Sequence, residues 1–325
     1  MRLRPDPFTL VLLAAIAAAS LRPAQGTAAE WLGLLGTLAV AVLFFIHGAA
    51  LSRDQIRAGA THWRLHLFIA ALTFLLFPLL VLPIAGLAPR WIPEDLALGF
   101  LYLGVLPSAV SSSIAFTAMA RGNVPAAVCS AAASNVFGMM LTPFLLMLLV
   151  STTGDGGFDT LQALKDIVVQ LLLPFALGHG LRRWLGAWLD RHPGFSARYD
   201  QGVILLIVYA AFSQSVASGL WQQLPVTAIV LAVSLCLLLL LTLLALTTWL
   251  SRRAGFDRAD EIAAVFCGSK KSLASGLPMA KVLFAGHPGF GMIILPIICY
   301  NQIQILVGAA LAQRSRQRCE TAAES

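Results

Sequence analysis

Between Phe8 and Leu311 the chain is a succession of apolar runs about twenty residues long, separated by short segments that carry most of the arginines. About twenty apolar residues is the length at which an α-helix crosses ~30 Å of hydrocarbon. No water is available in that layer, so every backbone N–H and C=O must find its partner within the protein, and helices satisfy this segment by segment. Composition agrees: 58% of the 325 residues are hydrophobic and 11% are charged, where a soluble domain carries about 25% charged residues. The chain therefore reads as an all-α polytopic membrane protein with room for roughly ten spans and none for a separate soluble domain.

The net charge of +7 is no nucleic-acid footprint, because the basic residues fall in short connections between the spans and concentrate in every other one. With the N-terminus inside, the inner segments hold Arg2, Arg4, Arg53, Arg57, Arg64, Arg121, Arg182, Arg183, Arg191, Arg198, Arg252, Arg253, Arg258, Arg314, Arg316 and Arg318. The outer segments hold Arg22 and Arg90, with Lys165 and Lys281 near helix ends. That asymmetry fits the positive-inside rule with both termini cytoplasmic, as expected in a bacterial inner or plasma membrane. The tryptophans cluster at span ends as an aromatic belt. Cys129, Cys236, Cys267, Cys299 and Cys319 show neither CxxC nor Cys/His spacing, so no disulfide framework and no dedicated metal site is expected. HExxH and GxSxG motifs are missing, as are paired carboxylates within the spans, which argues against a membrane hydrolase.

Residues 1–26 fit either a signal peptide or a short first transmembrane helix, and the later topology favours the helix. A charged loop at Ser52–Arg57 follows the second span, and a Gly/Asp-rich connection at Thr152–Asp159 separates two sets of spans. These sets give a first repeat over residues 1–155, a second over 156–312, and a polar cytoplasmic tail over 313–325. In each set the fourth span is interrupted: by Pro107–Ser113 in the first, and by Gly268–Gly276 in the second. An odd number of spans per set inverts the second against the first. Interrupted segments at matching positions of inverted repeats point to a secondary transporter's binding site.

The second interruption carries Lys270 and Lys271 within about 6 Å of mid-membrane. A charge at that depth costs from ~3 to over 10 kcal/mol, so a pair of them marks a functional cavity. Ser269 and Ser272 flank the pair. Ser111, Ser112 and Ser113 follow the proline of the first interruption and are positioned to coordinate; Ser134 and Asn135 either join them or bond neighbouring helices. Asn301 and Gln302 sit at mid-depth in the last span, as helix glue or as partners for the lysines.

The runs Leu106-Pro107, Ser111-Ser112-Ser113, Ala120-Arg121-Gly122-Asn123, Ser134-Asn135 and Leu141-Thr142-Pro143 resemble the bile acid:sodium symporter family. Phe44-Phe45, Gly48, Leu51-Ser52 and the stretch Phe266–Pro278 resemble its SBF-like branch, which includes bacterial transporters and solute carrier family 10 member 7. The resemblance covers nearly the whole chain. It implies ten transmembrane helices as two inverted five-helix repeats, with a core and a panel and with the fourth and ninth helices broken and crossing. It also implies two sodium sites beside a substrate crevice. In the bile-acid branch the ninth helix carries a sodium-ligating glutamate and a Gln-Asn pair, which fall here at Phe266, Lys270 and Lys271. A sodium-ligating glutamine of the third helix falls near Thr73.

The sodium sites of that branch therefore do not transfer as they stand. One site is expected on the oxygens of Ser112, Ser113, Ser134 and Asn135. At the other a lysine ammonium stands in a former cation position, as a fixed charge, a proton-coupling group or an anion-binding group. The expected function is secondary active transport of a small organic anion by alternating access, coupled to sodium or protons. The alternative is a non-transporting membrane regulator of cellular ion (calcium) homeostasis that keeps the fold. Sodium as coupling ion is the one cofactor implied. The partners are the anion and the lipid bilayer, with no nucleic acid, and the sequence sets no oligomeric state.

Overall fold

The computed structural model describes residues 7–50, 62–88, 90–153, 165–166, 168–217, 219 and 226–324. Among these, every regular element is helical. In chain order they are α1 Pro7–Leu21, α2 Thr27–Ala50, α3 Trp63–Ala85, α4 Glu94–Val105, α5 Val110–Met119, α6 Val124–Thr153 and α7 Val168–Gly180. They continue with α8 Arg182–Arg191, α9 Pro193–Ala217, α10 Val226–Arg253, α11 Arg258–Ser269, α12 Leu273–Leu283 and α13 Phe290–Glu324. The charged loop at Ser52–Arg57, the repeat boundary at 155/156, Arg2, Arg4 and Trp221 lie outside the described residues.

Among the described residues, six stretches are long and apolar enough to cross a membrane: Thr27–Ala50, Trp63–Ala85, Val124–Val150, Gly194–Ala217, Ile229–Arg253 and Phe290–Ser315. The pair α4 and α5, bent by 59°, makes a seventh. Leu10–Leu21 and Val168–Gly180 are apolar but shorter, while α11 and α12 have 12 and 11 residues and separately reach less than about 20 Å. The count by length and apolarity is thus lower than the ten spans read from the sequence. Large apolar side chains such as Phe137, Phe144, Leu238, Leu241 and Trp249 face outward, as suits helices solvated by lipid tails. The protein is an integral, multi-pass membrane protein.

The chain divides into two compact units. The first comprises Met1–Ser52, Gly157–Ile229 and Leu277–Ile294. In it α2 packs on α7 and α9, and α1 on α9. Gly48 lies against the Phe175 carbonyl and Gly178 against that of Phe45; such small-residue contacts let membrane helices approach where no solvent drives them together. His47 Nε2 lies 3.1 Å from Asp200 Oδ1, and Lys281 Nζ donates to the Gly33 carbonyl at 3.0 Å.

The second unit comprises Arg53–Gly156, Val230–Gly276 and Leu295–Ser325. Here α11 packs against α3, α5 and α6, and α6 also packs against α4 and α5. The turn from α5 to α6 is closed by Gly122 N–H to Thr117 O (2.8 Å) and Arg121 N–H to Ala118 O (3.1 Å). With Arg121 at φ 60°, this is the bonding pattern of a left-handed helix cap. Asp257 caps the start of α11 by accepting from Asp260 N–H.

Candidate functional site

Three features of the second unit free backbone groups in its buried interior. In α3 the stretch Leu72–Leu76 is π-helical, and Phe77 N–H bonds to Leu72 O five residues back. The next residue, Pro78, has no N–H, so the Thr73 carbonyl is left without a helical donor. Helix α4 ends at Val105 before Pro107, and Ser108 N–H donates to Ser134 Oγ at 3.0 Å instead of continuing the helix to Gly104 O. Helix α11 ends at Ser269 with Lys270 extended (φ −104°, ψ 141°). Ser272 then starts α12, its Oγ accepting from Ser275 N–H at 3.1 Å in the manner of an N-cap.

These freed groups satisfy one another, as buried backbone groups in hydrocarbon must. Ser272 N–H donates to Pro107 O (2.9 Å), and Ser108 Oγ–H donates to Cys267 O (2.6 Å). Ser113 bonds to Phe266 O (3.0 Å), Thr142 to Val105 O (2.8 Å) and Asn135 Nδ2 to Ser108 O (2.8 Å). Ser275 donates to Asn135 Oδ1, and Tyr300 to Ser269 O at 2.7 Å. Gln304 brackets the second break, with Oε1 accepting from Lys271 N–H and Nε2 donating to Lys271 O, both at 2.9 Å.

The two lysines, each 1% exposed, lie in unlike surroundings. Lys271 Nζ donates to Thr73 O (2.9 Å), Gly104 O (2.8 Å) and Leu106 O (2.6 Å), and stands 4.0 Å from the centre of the Phe77 ring. An ammonium has three donors and no acceptor, so these three carbonyls match it completely. Lys270 Nζ has a single carbonyl, Gln304 O, at 3.4 Å, beyond the usual range for N–H···O bonds. Its neighbours include the Phe116 ring (3.8 Å), the Phe266 ring (5.8 Å) and Gly308. At 3.8 Å an ammonium over a ring face gains a cation–π attraction but no hydrogen bond.

The remaining sequence-predicted residues spread across this framework. Ser111 is exposed, Ser112 half-buried and Ser113 buried, all within α5 rather than in the break, which spans Leu106–Ala109. Ser134 and Asn135 on α6 hold the backbone of Ser108. The second break, Lys270–Ser272, falls within the Gly268–Gly276 interruption, and Ser269 itself bonds to Val265 O. Thr73 reaches Lys271 through its main-chain carbonyl, its hydroxyl bonding to Ile69 O. Asn301 Oδ1 accepts from Gln304 Nε2 at 3.0 Å. Gln302 is half-buried and sits about 200° around the helix from Gln304.

Sequence reasoning missed Ser108, Tyr300, Gln304 and Glu261. Tyr300 and Gln304 are four residues apart on one face of α13, and Asn301 lies beside them, so the polar stripe was present in the sequence as an i, i+1, i+4 pattern. Glu261 is 6% exposed and bonds to Arg258 Nη1 (2.6 Å) and Arg252 Nε (3.1 Å). Nine residues of helix place it about 13 Å from Lys270, too far to be a counter-ion.

Residues 6–317 match the SBF-like CPA transporter family. The chain is 46% identical over 97% of its length to YfeH of Escherichia coli (strain K12), named as a proposed symporter, covering 94% of that protein. It is 31% identical over 95% of its length to sodium/bile acid cotransporter 7 of Rattus norvegicus, covering 92% of it. A Pseudomonas aeruginosa protein with no function in its name is 51% identical over 99% of the chain and 96% of its own. The chain belongs to the SBF-like CPA transporter family, a family of membrane transporters.

Proposed function

We propose that the chain is a secondary active transporter that moves a small organic anion by alternating access, and that the Lys270 ammonium holds the anion within the bilayer. The observation that carries this reading is the unequal bonding of the lysine pair. Lys271 is complete with three carbonyls, whereas Lys270 has one at 3.4 Å. A buried charge short of partners is costly, and an anionic group supplies what the two phenyl rings do not. The names of the symporter-like and cotransporter relatives favour transport over regulation of ion homeostasis.

In this reading the apolar segments form ten spans: α1, α2, α3, α4 with α5, α6, α7, α9, α10, α11 with α12, and α13. The two breaks occupy corresponding positions of two inverted repeats. Both termini lie in the cytoplasm of a bacterial cell, as the arginine distribution indicates. Sodium, as co-substrate, is taken at Ser112, Ser113, Ser134 and Asn135, a set of hard oxygen donors; protons are the other coupling ion.

Uptake of labelled organic anions into proteoliposomes, with and without an inward sodium gradient, tests both parts. Anion uptake accelerated by the gradient is the expected result. Uptake indifferent to sodium but driven by a pH gradient would assign the coupling to protons, and no uptake of any anion would overturn the transport reading.

A further inference from the structure

Lys271 carries no role in that transport reading, yet its surroundings have the form of an ion site. Three neutral carbonyl oxygens, those of Thr73, Gly104 and Leu106, converge on one point at 2.9, 2.8 and 2.6 Å, with the Phe77 ring closing a further side at 4.0 Å. Among the described residues no carboxylate takes part. Rings of backbone carbonyls of this kind replace the hydration shell of a monovalent cation.

The carbonyls are freed by the backbone and not by the lysine. Thr73 O is released by the π-turn and Pro78, and Gly104 O by the diversion of Ser108 N–H to Ser134. Leu106 is extended (φ −66°, ψ 152°) just beyond the end of α4. All three would stay orphaned without Lys271. The side chain therefore fills a site that the two irregular helices make.

We infer that this cage is a monovalent-cation site whose occupant is the chain's own Lys271 ammonium, and that a free primary alkylammonium or alkali ion takes it once the side chain is shortened. In the native protein the site is filled by a tethered ion and accepts none from solution. The inference concerns the folded chain alone and stands whether or not an organic anion is transported.

The test uses the purified full-length protein in detergent and the variant Lys271→Ala. This substitution deletes Cγ, Cδ, Cε and Nζ, the atoms of n-propylammonium. Melting temperatures are measured against n-propylammonium, sodium and potassium chlorides, with tetramethylammonium chloride, which has no N–H, as the control. The variant is expected to melt well below the native protein and to regain at least half of the loss, saturably, in n-propylammonium. A smaller saturable gain is expected in sodium or potassium and none in tetramethylammonium, while the native protein responds to none of them.

Folded variant obtained only when the amine is present supports the inference equally. It is overturned if the variant gains nothing from any of the donor cations, if tetramethylammonium or the native protein gives the same shift, or if no folded variant forms with or without the amine.

Discussion

Ser272 N–H donates to the carbonyl of Pro107 at 2.9 Å, tying the break between α11 and α12 to the break between α4 and α5. Ser108, the next residue, returns a bond to Cys267 O at 2.6 Å. Each break thus donates to a group the other has freed. Neither segment could sit alone in hydrocarbon, where each unsatisfied backbone group costs several kcal/mol. This pairing holds both lysines at depth while letting their side chains diverge.

That divergence predicts different costs for the same substitution. Lys271→Met leaves three buried carbonyls without donors, at about 1–3 kcal/mol each. A loss of several kcal/mol, seen as a sharp fall in folded yield and melting temperature, is expected. Lys270→Met removes one long hydrogen bond and two ring contacts, and such ring contacts contribute about 0.5–2 kcal/mol. Its melting temperature should stay close to that of the native protein. Equal destabilisation of the two variants would contradict the unequal roles assigned to them.

Gly308 lets the Lys270 ammonium lie where it does. A Cβ at this position would stand 2.8 Å from Nζ and 2.9 Å from a carbon of the Phe116 ring. The lysine end is flexible and would move, so Gly308→Ala is expected to cost only about 1–3 kcal/mol, as overpacking usually does. Anion uptake should nevertheless fall sharply, because the charge is displaced. Undiminished uptake by a correctly inserted variant would separate Lys270 from the transport site.

Gln304 bonds to both the N–H and the C=O of Lys271. Gln304→Leu keeps the volume and removes both partners, at about 1–3 kcal/mol for each orphaned group. A clear drop in melting temperature is expected, since this glutamine is one of the few groups fixing the second break. A drop no larger than that of an exposed α13 substitution such as Leu306→Ala would show the break to be held without it.

Glu261, though buried, should matter less. Its partners Arg252 and Arg258 have side chains 63% and 48% exposed, and pairs to such solvated cations contribute little. Glu261→Gln is expected to lower stability by no more than about 1 kcal/mol, with a difference that shrinks in high salt. A large, salt-independent loss would mark the pair as structural.

Much of this was legible in the chain itself. The apolar runs announce membrane helices because no other open structure survives in hydrocarbon, and Pro107 and the lysine pair announce breaks because each opposes a continuous apolar helix. The exact limits were not legible. The first break is Leu106–Ala109, which leaves Ser111–Ser113 inside α5, and the second is confined to Lys270–Ser272 within the Gly268–Gly276 stretch. Partners such as Gln304 and Tyr300 come from a distant helix, and single polar residues in an apolar run carry no mark of what they will meet. The unequal roles of Lys270 and Lys271 were beyond sequence, since they depend on where three unpaired carbonyls point. The carbonyl of Thr73 was freed by Pro78, five residues away, through a π-turn that composition does not signal.

The central claim is that the Lys270 ammonium holds the transported anion. It is tested most directly by uptake of a labelled organic anion in proteoliposomes carrying native protein, Lys270→Met or Lys270→Arg, each shown to be folded by its melting temperature. No uptake above empty liposomes is expected for Lys270→Met, and partial uptake for Lys270→Arg, which keeps the charge. Uptake by Lys270→Met at the native rate would contradict it.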